Sequence, residues 1–116
     1  MPPAVDSQVY KLCVMVPSAH LEPVKQALFM AGAGRYGLYD CCCWQSLGTA
    51  QFRPLPGSHP SCGKHGEVFA EGTWKVEMLC EWSCLSQAIK ALKKTHPYEV
   101  PAFDYYPVSL DAPVVE

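Results

Sequence analysis

The chain has 116 residues, 49% of them hydrophobic and 17% charged, with a net charge of −2 at neutral pH. A single domain of this length buries a core without disulfide or metal staples. The charge balance excludes broad electrostatic binding to nucleic acid or an anionic membrane surface, and no apolar run approaches the roughly 20 residues that span a bilayer.

"MPPAVDSQ" lacks a basic start followed by an apolar block, so it reads as a short disordered leader (1–7) and not as a signal peptide. The cysteines number seven, an odd count that argues against a secreted disulfide scaffold. A reducing cytoplasm is the expected setting, where free cysteine serves as a small buriable hydrophobe.

"QVYKLCVMVP" (8–17) alternates and is rich in β-branched and aromatic residues, which predicts a strand with Tyr10, Leu12, Val14 and Val16 on one face. Pro17 ends it. Ser18 is the expected cap of the following helix, in which Pro23 fits a first turn or delays the start. Leu21, Val24, Leu28 and Ala31 recur every three or four residues, a one-sided helical stripe. Gly32 and Gly34 then close the helix. A second strand is expected from Tyr39 to about Leu47, with Gly48 as a bulge or break and Thr49–Arg53 continuing. In it Cys41, Cys42 and Cys43 would alternate between core and sheet surface.

"RPLPGSHPSCGKHGE" (53–67) is a long loop with three prolines and three glycines, a length usually tied to function or mobility. "TWKVEMLCEW" (73–82) alternates cleanly and predicts a half-solvated strand, with Trp74, Val76, Met78, Cys80 and Trp82 on its apolar face. Ser83 is placed to cap a second helix striped by Leu85, Ala88, Ile89 and Leu92. Lys90, Lys93 and Lys94 suit the negative end of its dipole, and Pro97 stops it. "VPAFDYYPV" (100–108), with proline at both ends, predicts an edge strand. Residues 111–116 read as a flexible tail.

The order β-α-β, long loop, β-α-β predicts an α+β, ferredoxin-like split βαβ domain over residues 8–110, an antiparallel sheet with two helices on one face. Three motifs need weighing against that frame. Gly32, Gly34 and Gly37 spell G-x-G-x-x-G, but a dinucleotide fingerprint needs a strand before it and a helix after it. The order here is the reverse, and no acidic residue lies between Asp40 and Glu67. The glycines therefore read as a helix stop and a positive-φ connection.

His59, Cys62 and His65 have H-x2-C-x2-H spacing, which suits a divalent metal ion chemically. The segment offers only three donors, so a solvated loop with incidental histidines is the competing reading. "THPYEVP" places His96 at a helix end with Tyr98 and Glu99 between prolines. His96 either meets the last helical carbonyls or, with Glu99, contacts a ligand or a neighbouring subunit. His20 is expected to be solvent-exposed. No nucleophile–base pair, G-x-S-x-G or carboxylate pair is evident.

Residues 16–58 together with "HPYEVPAFDYYPV" resemble the YqfO-type domain, the CutA-like, PII-like module found inside many dimetal interacting-factor-three-like proteins and also alone. The resemblance covers about residues 9–109 and is carried by positions such as Gly34, Gly37, Asp40, Gln45, Gln51, Arg53, His96, Pro97, Tyr98 and Glu99. It implies a PII/CutA-like fold and association as a homo-oligomer, a trimer by preference. It also implies that the two-metal centre of full-length relatives belongs to flanking domains absent from this sequence, so their hydrolase label does not transfer.

Two departures stand out. Cys62 occupies a position that is more often apolar, and Val100 replaces a second acid beside His96. The expected function is a non-enzymatic module that takes a small molecule or metal ion at intersubunit clefts lined by Gln51, Phe52, Arg53, His96, Tyr98 and Glu99. Arg53 would be the anion contact. The alternatives are a metal-dependent enzyme using His59, Cys62, His65 and His96, and a pure scaffold.

Overall fold

A computed structural model describes residues 9–110. The expected leader and tail lie outside the described residues. Four strands form one antiparallel sheet in the order β2-β3-β1-β4. They are β1 (Val9–Pro17), β2 (Trp44–Phe52), β3 (Phe69–Glu81) and β4 (Phe103–Val108). Two helices, α1 (Leu21–Met30) and α2 (Trp82–Thr95), cover one face. This is the ferredoxin-like arrangement that the element order predicts.

The alternation in β1 explains why the layers meet as they do. Leu12, Val14 and Val16 pair across β3 with Met78, Val76 and Trp74, so both central strands present one apolar face. Leu21, Val24 and Leu28 of α1 and Leu85, Ala88 and Leu92 of α2 close over it as one core. Each side chain is there because helical spacing of three or four meets a strand period of two on the same surface.

Helix α1 ends as the glycines predict. Gly32 (φ 103°) follows the last turn, the Gly32 N–H donates to the Phe29 carbonyl, and the Ala33 N–H donates to the Leu28 carbonyl. That pair of bonds is a Schellman stop. The beginnings of the helices differ from expectation. Ser18–His20 form a short 3-10 turn, α1 starts at Leu21 after His20, and Ser18 makes no capping bond. Pro23 therefore sits inside the first turn, where its missing N–H costs nothing. Likewise α2 begins one residue before Ser83, after an extended Glu81 with no side-chain cap. His20 is exposed, as expected.

The second strand is the larger correction. It runs unbroken from Trp44 to Phe52, and Gly48 stands in register opposite Thr73 without a bulge. The segment before it is consumed by a two-residue turn. Tyr36 and Tyr39 exchange both N–H···O bonds at 2.9 Å around Gly37 (φ 58°) and Leu38. Cys41 then takes a left-handed conformation (φ 54°), and the Cys42 N–H donates to the Gly34 carbonyl at 2.8 Å. Cys41–Cys43 thus precede the strand. Cys41 and Cys43 are exposed and Cys42 is half-buried, so these thiols do not supply core. The third strand also starts earlier than predicted, at Phe69. Trp82 leaves it to open α2, where its ring packs 5.6 Å from that of Tyr10. The last strand is shorter than predicted and occupies an edge, as its prolines require.

Candidate functional site

The connection from α2 to β4 is anchored by His96. Its N–H donates to the Leu92 carbonyl at 2.9 Å, satisfying the helix end. Its ring turns inward and is 6% exposed. The Tyr98 N–H donates to Nδ1 at 3.1 Å, which leaves the proton on Nε2, and Nε2–H donates to the Met15 carbonyl at 2.6 Å. Both ring nitrogens are therefore engaged. Burial pushes this imidazole below its ordinary pKa, against the opposing pull of the Met15 carbonyl. His96 is a buried clamp between the connection and β1, meeting the last helical carbonyls through its N–H and holding Met15 and Tyr98 through its ring.

Its neighbours build outward from this clamp. The Tyr98 hydroxyl donates to Glu71 Oε2 at 2.5 Å, and the Cys62 thiol reaches the same oxygen at 3.5 Å. Burial, and then the Glu71 carboxylate, hold both the phenol and the thiol above their ordinary pKa. The Tyr98 ring lies edge-on to Phe52 at 5.4 Å, and Phe52 in turn packs 5.3 Å from Phe69 across the β2–β3 ladder. Glu99 Oε1 accepts the His59 N–H at 2.9 Å, tying the long loop to the same connection.

The loop itself is closed by a bond from the Gly66 N–H to the Pro54 carbonyl at 2.7 Å. His65 Nε2 lies 2.9 Å from the Ser58 carbonyl. Two donors of the H-x2-C-x2-H motif have separate partners, His65 a carbonyl and Cys62 the Glu71 carboxylate, while His59 is held through its backbone N–H. Among the described residues, no three His, Cys, Asp or Glu side chains are grouped to hold a metal ion.

Between loop, connection and sheet lies a cleft of about 330 Å³. Met15, Ala50, Gln51 and Phe52 form its floor; Pro54, Ser58, Pro60 and Ser61 form the loop wall; Tyr98, Glu99, Val100 and Ala102 form the other. Four of the six residues expected to line a ligand site converge here: Gln51, Phe52, Tyr98 and Glu99. His96 supports the cleft from beneath. Arg53 is exposed, follows the last residue of β2, and does not line it. Sequence reasoning missed Met15, Glu71 and Val100. Met15 and Glu71 carried only the weak signal of an odd register on the uncovered sheet face.

No family model matches the chain. It is 38% identical over 107 residues to the GTP cyclohydrolase 1 type 2 homolog of Halalkalibacterium halodurans, covering 92% of this chain and 29% of that protein. The chain spans less than a third of the length of such curated relatives. In structure it resembles a Bacillus cereus protein related to NIF3 (TM-score 0.77, 34% identity), covering 94% of this chain and 28% of the other. Two shorter proteins match along most of both chains. The CutA protein of Archaeoglobus fulgidus, described as a periplasmic divalent cation tolerance protein, has TM-score 0.64, 13% identity and coverage of 90% and 87%. GlnK of B. subtilis, solved with ATP, has TM-score 0.58, 15% identity and coverage of 89% and 85%. The low identities of these two establish shared fold alone. Sequence kinship with one segment of the longer proteins, joined to this fold, makes the chain a YqfO-type, CutA-like/PII-like domain.

Proposed function

We propose that this domain is a non-enzymatic, cytoplasmic module that associates with copies of itself, as a trimer by preference, and holds a small ligand in the cleft beside Phe52 and Tyr98. The convergence of Gln51, Phe52, Tyr98 and Glu99 from two distant segments on one concave surface carries the reading. Pockets of this size, apolar with a few placed polar groups, are the default ligand sites of small folds. The prolines and the His96 clamp hold the cleft in shape before any ligand arrives, which lowers the ordering cost of binding.

Association is supported by the sheet edges. β2 is nine residues long at one edge, with no charged residue and no proline, and such an edge invites pairing with another chain. β4 at the other edge carries Asp104 and Pro107. Unlike edges favour a head-to-tail contact, which closes as a ring when its rotation permits. The activity named for the longer relatives concerns proteins of which this chain is a minor part, and it is not assigned here.

Native mass spectrometry of gently purified protein tests both halves of the proposal. A trimer with added mass, which disappears in Val100→Trp, is the expected result, because Val100 lines the cleft and its exposure leaves room for the larger ring. A bare monomer would overturn the reading. A bare trimer would favour a scaffold.

A further inference from the structure

We infer that the cleft selects a small apolar molecule carrying an amino or ammonium group, and that it disfavours anions; the inference rests on the cleft being the ligand site. Glu99 is the charged side chain of the lining, and no lysine, arginine or histidine is part of it among the described residues. Arg53, the cation that the sequence offers at this point, lies outside. Glu99 lines the cleft, is exposed, and gives one carboxylate oxygen to the His59 N–H, with no hydrogen bond to the other among the described residues. A second carboxylate, Glu71, stands behind Tyr98.

An anion seated here would lose water and face carboxylates with no compensating charge, which is costly. An ammonium has three donors and no acceptor, and it would meet Glu99 and the hydroxyls of Ser58 and Ser61. The aromatic faces of Phe52 and Tyr98 add attraction for a cation. The remaining walls, Met15 and Val100 among them, ask for an apolar body. At about 330 Å³ the cleft sits at the small end of the range for ligand pockets.

The test uses three probes with one body and different heads: phenethylamine, 2-phenylethanol and 3-phenylpropionate, titrated into the intact chain and followed by amide NMR. Shifts should localise to Met15, Val100 and Ala102. Affinity should fall in the order amine, alcohol, carboxylate, with the amine about fivefold or more above the carboxylate at low salt and the gap shrinking as salt rises. Glu99→Gln keeps an acceptor for the His59 N–H and should bring amine and alcohol within about twofold. Equal binding of all three probes at those residues, or preference for the carboxylate, would overturn the charge selectivity while leaving the cleft as the ligand site. No localised shift with any probe would overturn both. The salt series on the unaltered chain decides the matter even where Glu99→Gln does not fold.

Discussion

The two faces of the single sheet are built from the same strands and come out differently. On one face Leu12, Val14, Val76 and Met78 are sealed under two helices. On the other, Trp44, Glu77, Cys13 and Asp104 lie in one row across all four strands, and Met15, Lys75 and Ser46 lie in the next. That second face is mixed in character. Trp44 is 69% exposed and Met15 is 36% exposed, whereas Cys13 is buried among its neighbours, which raises its thiol pKa. A strict period of two sends alternate residues to opposite sides, so the helices could consume only half of each strand. The unconsumed half is where the cleft forms, at the end where Phe52 and Met15 meet the loop and the His96 connection. The covered face holds the fold together, and the uncovered one carries the cleft.

This contrast can be broken or sharpened by measurement. The largest effect belongs to the sealed face. Leu28 is completely buried, and Leu28→Ala should cost about 2–5 kcal/mol in urea unfolding, the range for a cavity under a helix. A cost under about 1 kcal/mol would mean that this layer is loosely packed.

Next comes the junction that leads from the core to the second strand. Gly34 adopts φ 78°, and a Cβ there would lie 2.8 Å from the Phe29 ring and 3.0 Å from the Cys42 carbonyl. Gly34→Ala should therefore lose about 1–3 kcal/mol through backbone strain and clash. Unchanged stability would show that the turn relaxes freely.

A pH series separates the two faces by titration. His96 has its pKa lowered from 6.5 by burial, so its contribution is complete above 6.5 and is lost as pH falls through the depressed folded value. Cys80, in the sealed core, has its pKa raised from 9.0 to about 11 by burial. Its contribution is complete below 9.0 and is lost as pH rises toward 11. Stability should thus be flat with respect to these two groups between the limbs. His96→Gln should remove its acid component, and Cys80→Ala should reduce the alkaline limb, to which the raised Cys13, Cys62 and Tyr98 groups also contribute. An acid limb unchanged in His96→Gln would show that the clamp is not the titrating group.

The smallest effect is expected at Gly48, on the edge strand of the open side. It has an ordinary strand conformation, and an added Cβ meets nothing within 4 Å. Gly48→Ala should leave stability unchanged or raise it by about 0.5–1 kcal/mol, because glycine loses more chain entropy on folding. A loss of stability would reveal a contact at this edge from another copy of the chain.

Much of the fold could be read from local chemistry. Alternation in β1 and β3, the stripe of α1, and glycines after its last turn are properties of a few consecutive residues, and each takes effect within a turn or a strand. The same local reasoning rejected the glycine fingerprint, since the order of helix and strand is visible in one dimension. It failed where a local signal competes with a longer one. Cys41–Cys43 look like strand residues in isolation, yet the turn at Tyr36–Tyr39 and the bond from Cys42 to Gly34 hold them outside the sheet. Ser18 and Ser83 look like caps, yet the chain enters both helices through other residues.

The site divides along the same line. The sequence by itself marked the stiff "HPYE" connection and the end of the second strand as the places to look, because proline spacing and adjacent polar and aromatic residues are written there directly. Only the tertiary structure decided what those residues do. It turned His96 inward onto the Met15 carbonyl, separated Arg53 from the cleft, and dispersed the loop's His and Cys donors. It also placed Glu99 in the lining of the cleft. Each outcome depends on contacts between residues far apart in the chain, such as His96 with Met15 and Tyr98 with Glu71. Spacing along a sequence constrains neighbours on one element, but which side chains share a cleft is set when separate elements pack together.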